Sequence, residues 1–157
     1  MTDPAPACVV EPVAVRDQEV RALLRALTAE LAGAGYTSDQ TFGYSVEQLE
    51  QNDVQLVGAR VAGILVGVAG LELQGDGFGE LKRFFVQPDQ RGTGVADALL
   101  VALLARARAS RVRFLRLETG DKQAAAQAFY RRHGFVRVPR FGPYQTSETS
   151  VCMQRPL

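Results

Sequence analysis

The sequence predicts a mixed α/β fold, a mostly antiparallel central sheet flanked by helices, and three observations carry that expectation. Three β-rich runs follow one another across short turns in the middle of the chain, as an antiparallel meander requires. The third run ends in a Pro- and Gly-bearing turn and passes directly into a strongly apolar helix. The rest of the chain adds a strand, a helix and two more strands, with no internal repeat and no linker-like stretch. A chain of 157 residues suits one domain over 1–157 and is long enough to bury a substantial core.

Taken in order, residues 1–7 read as a disordered lead-in without the basic and apolar regions of a signal peptide. Residues 8–16 are valine-rich and form a first strand broken by Pro12. Asp17 caps a helix over 18–33, where Val20, Leu23, Leu24, Leu27 and Leu31 recur at helical spacing until Gly33 and Gly35 end it. The connection over 36–44 carries Tyr36, Phe42 and Tyr44, which either pack on the core or wall an acceptor pocket. A short helix over 45–51 follows, with Ser45 as its cap. Strands are expected over 53–60 and 64–73, joined at Ala62-Gly63, then a loop over 75–79 and a strand over 80–86. After the turn comes a helix from Gly94, a strand over 112–118 and a helix over 122–133 closed by Gly134. A strand over 135–139, a turn over 141–144 and a closing strand over 150–153 complete the order.

Composition narrows the function. With 46% apolar residues, 22% charged residues and a net charge of +1, the chain has no general electrostatic case for nucleic acid or an anionic membrane. Arg106, Arg108, Arg111, Arg113 and Arg116 are read as a solvated helix end and the strand after it, with reach to an adenosine phosphate as the alternative. The apolar run over 95–105 is interrupted by Asp97 and too short to span a bilayer. Cys8 and Cys152 are expected to be reduced, buried thiols of a cytoplasmic protein. Neither has a metal-ligating neighbour, and His133 is the single histidine.

The turn over 87–94 is built to bind an anion. Gly92 and Gly94 permit backbone angles that let consecutive amides, those of Thr93, Val95 and Ala96 among them, converge on one point. The helix that follows adds its free N-terminal amides and the positive end of its dipole, and Arg91 adds a full charge. A diphosphate suits such a place. A nucleoside-triphosphate loop would need Lys-Ser/Thr where Val95 and Ala96 stand, and a dinucleotide fingerprint would need a small residue at Asp97. Glycines serving only tight strand–turn–helix packing would also account for these residues.

Arg91-x-x-Gly94-x-Ala96 after a strand ending Val86-Gln87-Pro88 resembles the acetyl-coenzyme A signature of the GNAT superfamily of N-acetyltransferases. Tyr130-Arg-Arg-His-Gly134-Phe135 resembles the segment that places a tyrosine beside the thioester sulfur, and the element order matches over almost the whole chain. Leu117-Glu118-Thr119-Gly120, with the tail around Phe141 to Tyr144 and Ser150 to Met153, is similar to small bacterial members of mostly unassigned substrate. The resemblance implies a coenzyme A cleft between splayed fourth and fifth strands, with Arg91, Gly92, Thr93, Gly94, Val95 and Ala96 on the pyrophosphate. Phe85 and Val86 would line pantetheine, and Gln123 stands where many members have asparagine. A backbone amide near Val86 would stabilise the acetyl oxygen, and Pro88 has no N–H to offer.

An alkyl amine attacks only when neutral, so a base or proton path is needed at neutral pH. Glu80 holds the position of a glutamate base in members that use one on this strand, and a solvated strand-start carboxylate is the plainer alternative. Alternation puts Glu80, Lys82, Phe84 and Val86 on one face unless a bulge intervenes, so that Lys82 pairs with Glu80. Tyr130 either donates a proton to the leaving thiolate or packs on pantetheine. Arg83 is read as a surface residue, with an acidic acceptor as its other use. The resemblance implies direct acetyl transfer from acetyl-CoA to a small-molecule or peptide amine, without metal, in a family where homodimers are common. Another short-chain acyl group, or coenzyme A binding without catalysis, fits the same residues.

Overall fold

The middle β-rich runs fold as the meander that their turns dictate. In the computed structural model, which describes residues 6–157, these runs are β2 (Gln55–Val61), β3 (Ile64–Gly75) and β4 (Phe78–Val86), preceded by β1 (Cys8–Pro12). Asp76 and Gly77 adopt φ of 53° and 82°, the two left-handed positions of a tight hairpin turn. That turn corrects the expected loop over 75–79: only two residues leave the ladder, and Phe78 and Gly79 are already strand. The other strands are β5 (Phe114–Gly120), β6 (Val136–Val138) and β7 (Ser150–Pro156). The spatial order is β1-β2-β3-β4-β5-β7-β6, and every neighbouring pair is antiparallel except β4 with β5.

Helices α1 (Gln18–Gly33) and α2 (Val46–Gln51) precede the meander, and α3 (Val95–Ala109) and α4 (Ala124–Arg132) follow it. Ser45 caps α2 reciprocally with Gln48, whereas the Asp17 side chain makes no capping bond to α1. Two apolar clusters lie on opposite faces of the sheet. Val20, Leu23 and Leu24 of α1 and Leu49 of α2 pack with Leu56, Val68 and Phe85. Leu99, Leu100 and Leu103 of α3 pack with Val57, Leu81, Leu115 and Met153. Each helix thus buries its stripe against one sheet face, which fixes the sheet's edges relative to both helix pairs.

Two features of this frame make a site. The parallel pairing of β4 with β5 is confined to Phe78–Glu80 against Phe114–Arg116, and beyond Glu80 the strands part. A β-bulge then interrupts β4: Gly70 pairs with Lys82 but Val68 pairs with Phe85, so Arg83 and Phe84 share one partner position. Arg83 absorbs the extra residue at φ 56°. Leu81, Phe84 and Val86 consequently face the core beneath α3, whereas Lys82 and Arg83, though adjacent, both face the α1 side. The bulge corrects strict alternation: Glu80 and Lys82 keep one face, and Phe84 and Val86 lie on the other.

Smaller departures have local causes. Cys152 is buried, but Cys8 lies exposed on the edge strand β1, so burial holds for one thiol only. Arg116 is no solvated cation: it bonds Gln74 Oε1 at 2.8 and 3.0 Å and stacks over Phe141. The lead-in expected over 1–7 falls largely on residues 1–5, which lie outside the described residues. Among the described residues, no helix is long and apolar enough to cross a membrane, and no cluster of three metal-ligating side chains occurs.

Candidate active site

Where β4 and β5 part, they open a cavity of about 450 Å³, walled by β4 residues 80–86, β5 residues 117–120, the 40–44 loop, and one face of α4. At one end lies the turn before α3. Gly94 is the N-cap of that helix, with φ 94° and no side-chain cap. A residue with a side chain is strained in this left-handed conformation, so glycine is what lets the chain enter the helix while leaving the amides bare. No N–H from Gly92 to Asp97 donates to a protein carbonyl among the described residues, and the first helical bond is Ala98 N–H to Gly94 O at 3.0 Å. Nothing stands within 4 Å of where a Cβ on Gly92 or Gly94 would be, so a ligand can reach the backbone. A diphosphate fits this donor set, with Thr93, Val95 and Ala96 beside the two glycines.

Arg91 is more occupied than its motif suggests. Its Nε donates to Val86 O at 3.0 Å and its Nη2 meets Glu30 on α1 at 2.7 Å. Across the strand, Gln87 N–H donates to Val66 O at 2.8 Å, so the Val86 carbonyl points the other way, into the cleft. The Val86 N–H lies on the same strand edge. Gln87, spent on β3, offers no donor there. Phe85 buries its ring in the cluster under α1, 5.6 Å from the Arg91 guanidinium, and also lines the cleft. Gln123 lines the cleft as the N-cap of α4.

Tyr130 stands where the cleft narrows, its ring edge-on to Phe84, Phe129 and Phe135. Its hydroxyl has no protein partner among the described residues, and burial, with a smaller contribution from Glu118, pushes its pKa well up. The phenol is therefore held protonated. The sequence had no means to reveal the contact between the next helix end and the anion loop: His133 Nε2 lies 2.6 Å from Asp97 Oδ1, and Arg132 reaches the same oxygen at 3.6 Å.

The other end of the cleft is a buried polar cluster. Glu80, only 2% exposed, accepts from Lys82 Nζ at 2.8 Å, from the Tyr144 hydroxyl at 2.7 Å and from Gln74 at 2.8 Å. Lys82 also donates to Tyr144 at 3.0 Å and sits 4.2 Å over the Tyr44 ring. Tyr144, braced edge-on by Phe42 and Phe141, thus belongs to the site. The aromatic connection does supply a wall, through Tyr36, Phe42 and Tyr44. Glu118 on β5 faces the same space, and burial, reinforced by the Glu80 charge, raises its pKa to about 7. Glu118 was legible only as part of a motif; its tuning comes from burial and, secondly, from a neighbour 38 positions away, neither of which a local pattern exposes.

A cleft opened by parting strands, with unspent amides at one end and an acid, a phenol and a tuned carboxyl along it, defines an acyl-CoA-dependent N-acyltransferase. The acetyltransferase (GNAT) family profile matches residues 19–135, and the chain belongs to that family. The chain is 36% identical over 123 residues to the IAA acetyltransferase of Azospirillum brasilense, covering 78% of this chain and 80% of that protein. A solved structure from Klebsiella pneumoniae, provisionally named an acyl-CoA N-acyltransferase, superposes with a TM-score of 0.81 at 35% identity over 96% of this chain and 97% of the other. The fold is also that of the PaiA N-acetyltransferase of Thermoplasma acidophilum in complex with coenzyme A, with a TM-score of 0.76 at 17% identity over 96% and 99% of the two chains.

Proposed function

We propose that the chain is a single-domain acetyl-CoA-dependent N-acetyltransferase that moves acetyl directly to a primary amine while both substrates are held in the cleft. The observation that carries this reading is the abrupt end of β4–β5 pairing at Glu80 and Arg116, which leads from the polar cluster to the unspent amides of the Gly92–Asp97 turn. The cosubstrate supplies an activated acetyl thioester. Gly92, Thr93, Gly94, Val95 and Ala96 hold its pyrophosphate through backbone N–H groups, with Arg91 adding charge, and Gln123 flanks them. Phe85 and Val86 line its pantetheine, and the Val86 N–H stabilises charge on the acetyl oxygen.

Proton movement falls to three side chains. Glu118, with a pKa of about 7, accepts the proton of the incoming ammonium at neutral pH. Glu80, held by Lys82 and Tyr144, keeps the negative field that makes Glu118 a competent base and completes the path away from the amine. Tyr130, protonated and unpartnered, donates to the leaving thiolate. Much of the acceleration comes from holding amine and thioester together.

Thermal unfolding with acetyl-CoA tests the reading first. At about 100 times its dissociation constant, the ligand adds about 2.7 kcal/mol of stability. The protein should then release thiol with some members of an amine panel, about 100-fold more slowly after Tyr130→Phe. No shift with millimolar acetyl-CoA or coenzyme A removes the whole reading, and unchanged turnover after Tyr130→Phe removes the proton-donor role alone.

A further inference from the structure

Arg83 lines the cleft without a part in acetyl transfer. Adding one residue to β4 forces a non-glycine residue, Arg83, into a strained left-handed φ of 56°. The result of that bulge is specific: it turns Arg83 from the core beneath α3 to the α1 side, beside Lys82. There its Nη2 donates to Leu24 O at 2.8 Å and Thr28 Oγ1 at 2.7 Å. Both are neutral acceptors, and no carboxylate lies within ion-pair distance of the guanidinium among the described residues. Nη1 has no acceptor, and Nε is buried without any partner. Two acids of the same region are committed elsewhere, Glu30 to Arg91 and Glu80 to Lys82 and Tyr144, and Glu72, whose Oε1 accepts from Gln74, makes no ion pair with Arg83.

Arg83 is half-buried and lacks a counter-charge, which is costly, and burial pushes its pKa down, although it stays charged. Space is kept for it: a Cβ on Gly43, in the wall of the same cleft, would collide with Nη1. A strand that only needed to be tied to α1 could do so with a neutral amide. With Nη2 spent on α1 and Nε enclosed, Nη1 is the donor left free at the edge of the cavity, and it carries a positive charge that no protein carboxylate among the described residues offsets; a substrate carboxylate suits it.

Resting on the acetyltransferase reading of this cleft, we infer that Arg83 anchors a carboxylate of the acceptor, so that the substrate class is an amine that also carries a carboxyl group. Glu118 and Glu80 receive its ammonium end, and Arg83 and Gly43 receive its acid end. A free amino acid and a short peptide both present such an acid, and the test distinguishes these by chain length.

The test measures binding to protein saturated with coenzyme A, using matched pairs: glycine, β-alanine, 4-aminobutyrate and glycylglycine, each against its C-terminal amide. At least one acid should bind about 10-fold or more tightly than its amide, the size expected for a hydrogen bond to a charged group. The length of the preferred acid reports the span from ammonium to Arg83. Arg83→Gln should erase the preference while leaving coenzyme A affinity unchanged. Gly43→Ala, which keeps the charge but displaces Nη1, should weaken the acids in the same direction and serves if Arg83→Gln does not fold. Equal binding of all acids and amides, or a preference that survives Arg83→Gln, overturns the inference. Failure of the catalytic reading looks different: coenzyme A would not bind, or preferred acids would bind without being acetylated.

Discussion

Glu118 is the residue whose behaviour is most constrained by its surroundings. It titrates at about 7 in the folded protein against an ordinary value of 4.5, because burial and the Glu80 charge both disfavour its ionised form. The folded state therefore holds a proton between those values that the unfolded state has released. Its contribution to stability is present below pH 4.5 and is lost as pH rises through about 7. Glu118→Gln should accordingly be more stable than the parent at pH 8, with the gap closing by pH 5, as measured by denaturant unfolding. The same substitution should flatten the rise in kcat/KM near pH 7, and an unchanged pH–rate profile would remove Glu118 from the proton path. None of this is legible in sequence, where Glu118 is an ordinary strand carboxylate. That Tyr130 and the Gly92–Gly94 turn would line one cleft was legible, the turn from its glycines and Tyr130 from the family resemblance, whereas the tuning of Glu118 and the isolation of Arg83 depend on residues from distant strands and helices.

At the scale of an element, α3 shows how one backbone position joins folding to binding. Gly94 enters the helix at φ 94° and leaves its first amides unpaired. Gly94→Ala should lower stability by about 1 kcal/mol through left-handed strain. It should lower coenzyme A affinity by a larger factor, since the Cβ would occupy the open space that the ligand needs. Calorimetric titration checks this, and unchanged affinity would mean that these amides are not at the ligand. The elements themselves were readable wherever periodicity and turn chemistry agreed, as in α1 and the Ala62-Gly63 hairpin. Misreadings came where one residue changes phase. The Asp76-Gly77 turn is obscured in sequence because Gly75 and Gly79 flank it and lengthen the apparent loop, and the bulge at Arg83 shows only as the adjacent charges Lys82-Arg83, which an expectation of strict alternation passes over.

For the molecule as a whole, the sheet has a seam. β1 to β4 and the β5-β7-β6 group join through three residue pairs, and the rest of the junction is the cleft. A ligand lying there touches both halves and α4, so its binding should slow amide exchange on both sides of the seam, in β5 and α4 as well as in α3. Hydrogen exchange with and without coenzyme A measures this; protection confined to α3 would mean that the ligand grips the turn without entering between the strands. The mostly antiparallel order and the position of the seam followed from element order and family resemblance. Its polar lining did not, because Tyr144, Lys82 and Glu80 are brought together across 64 positions of chain.

The phase change in β4 divides that strand into two separately adjustable parts. Positions 80, 82 and 83 address one side of the sheet, while positions 81, 84 and 86 remain in the apolar core beneath α3. A designer could recode the first set, as one exchanges the bit of a drill without touching the chuck, and so retarget the enzyme from one amine to another over an unchanged coenzyme grip. The same arrangement sets its own limit: a one-residue slip of β4 on the N-terminal side of the bulge would turn Glu80 and Lys82 towards the core.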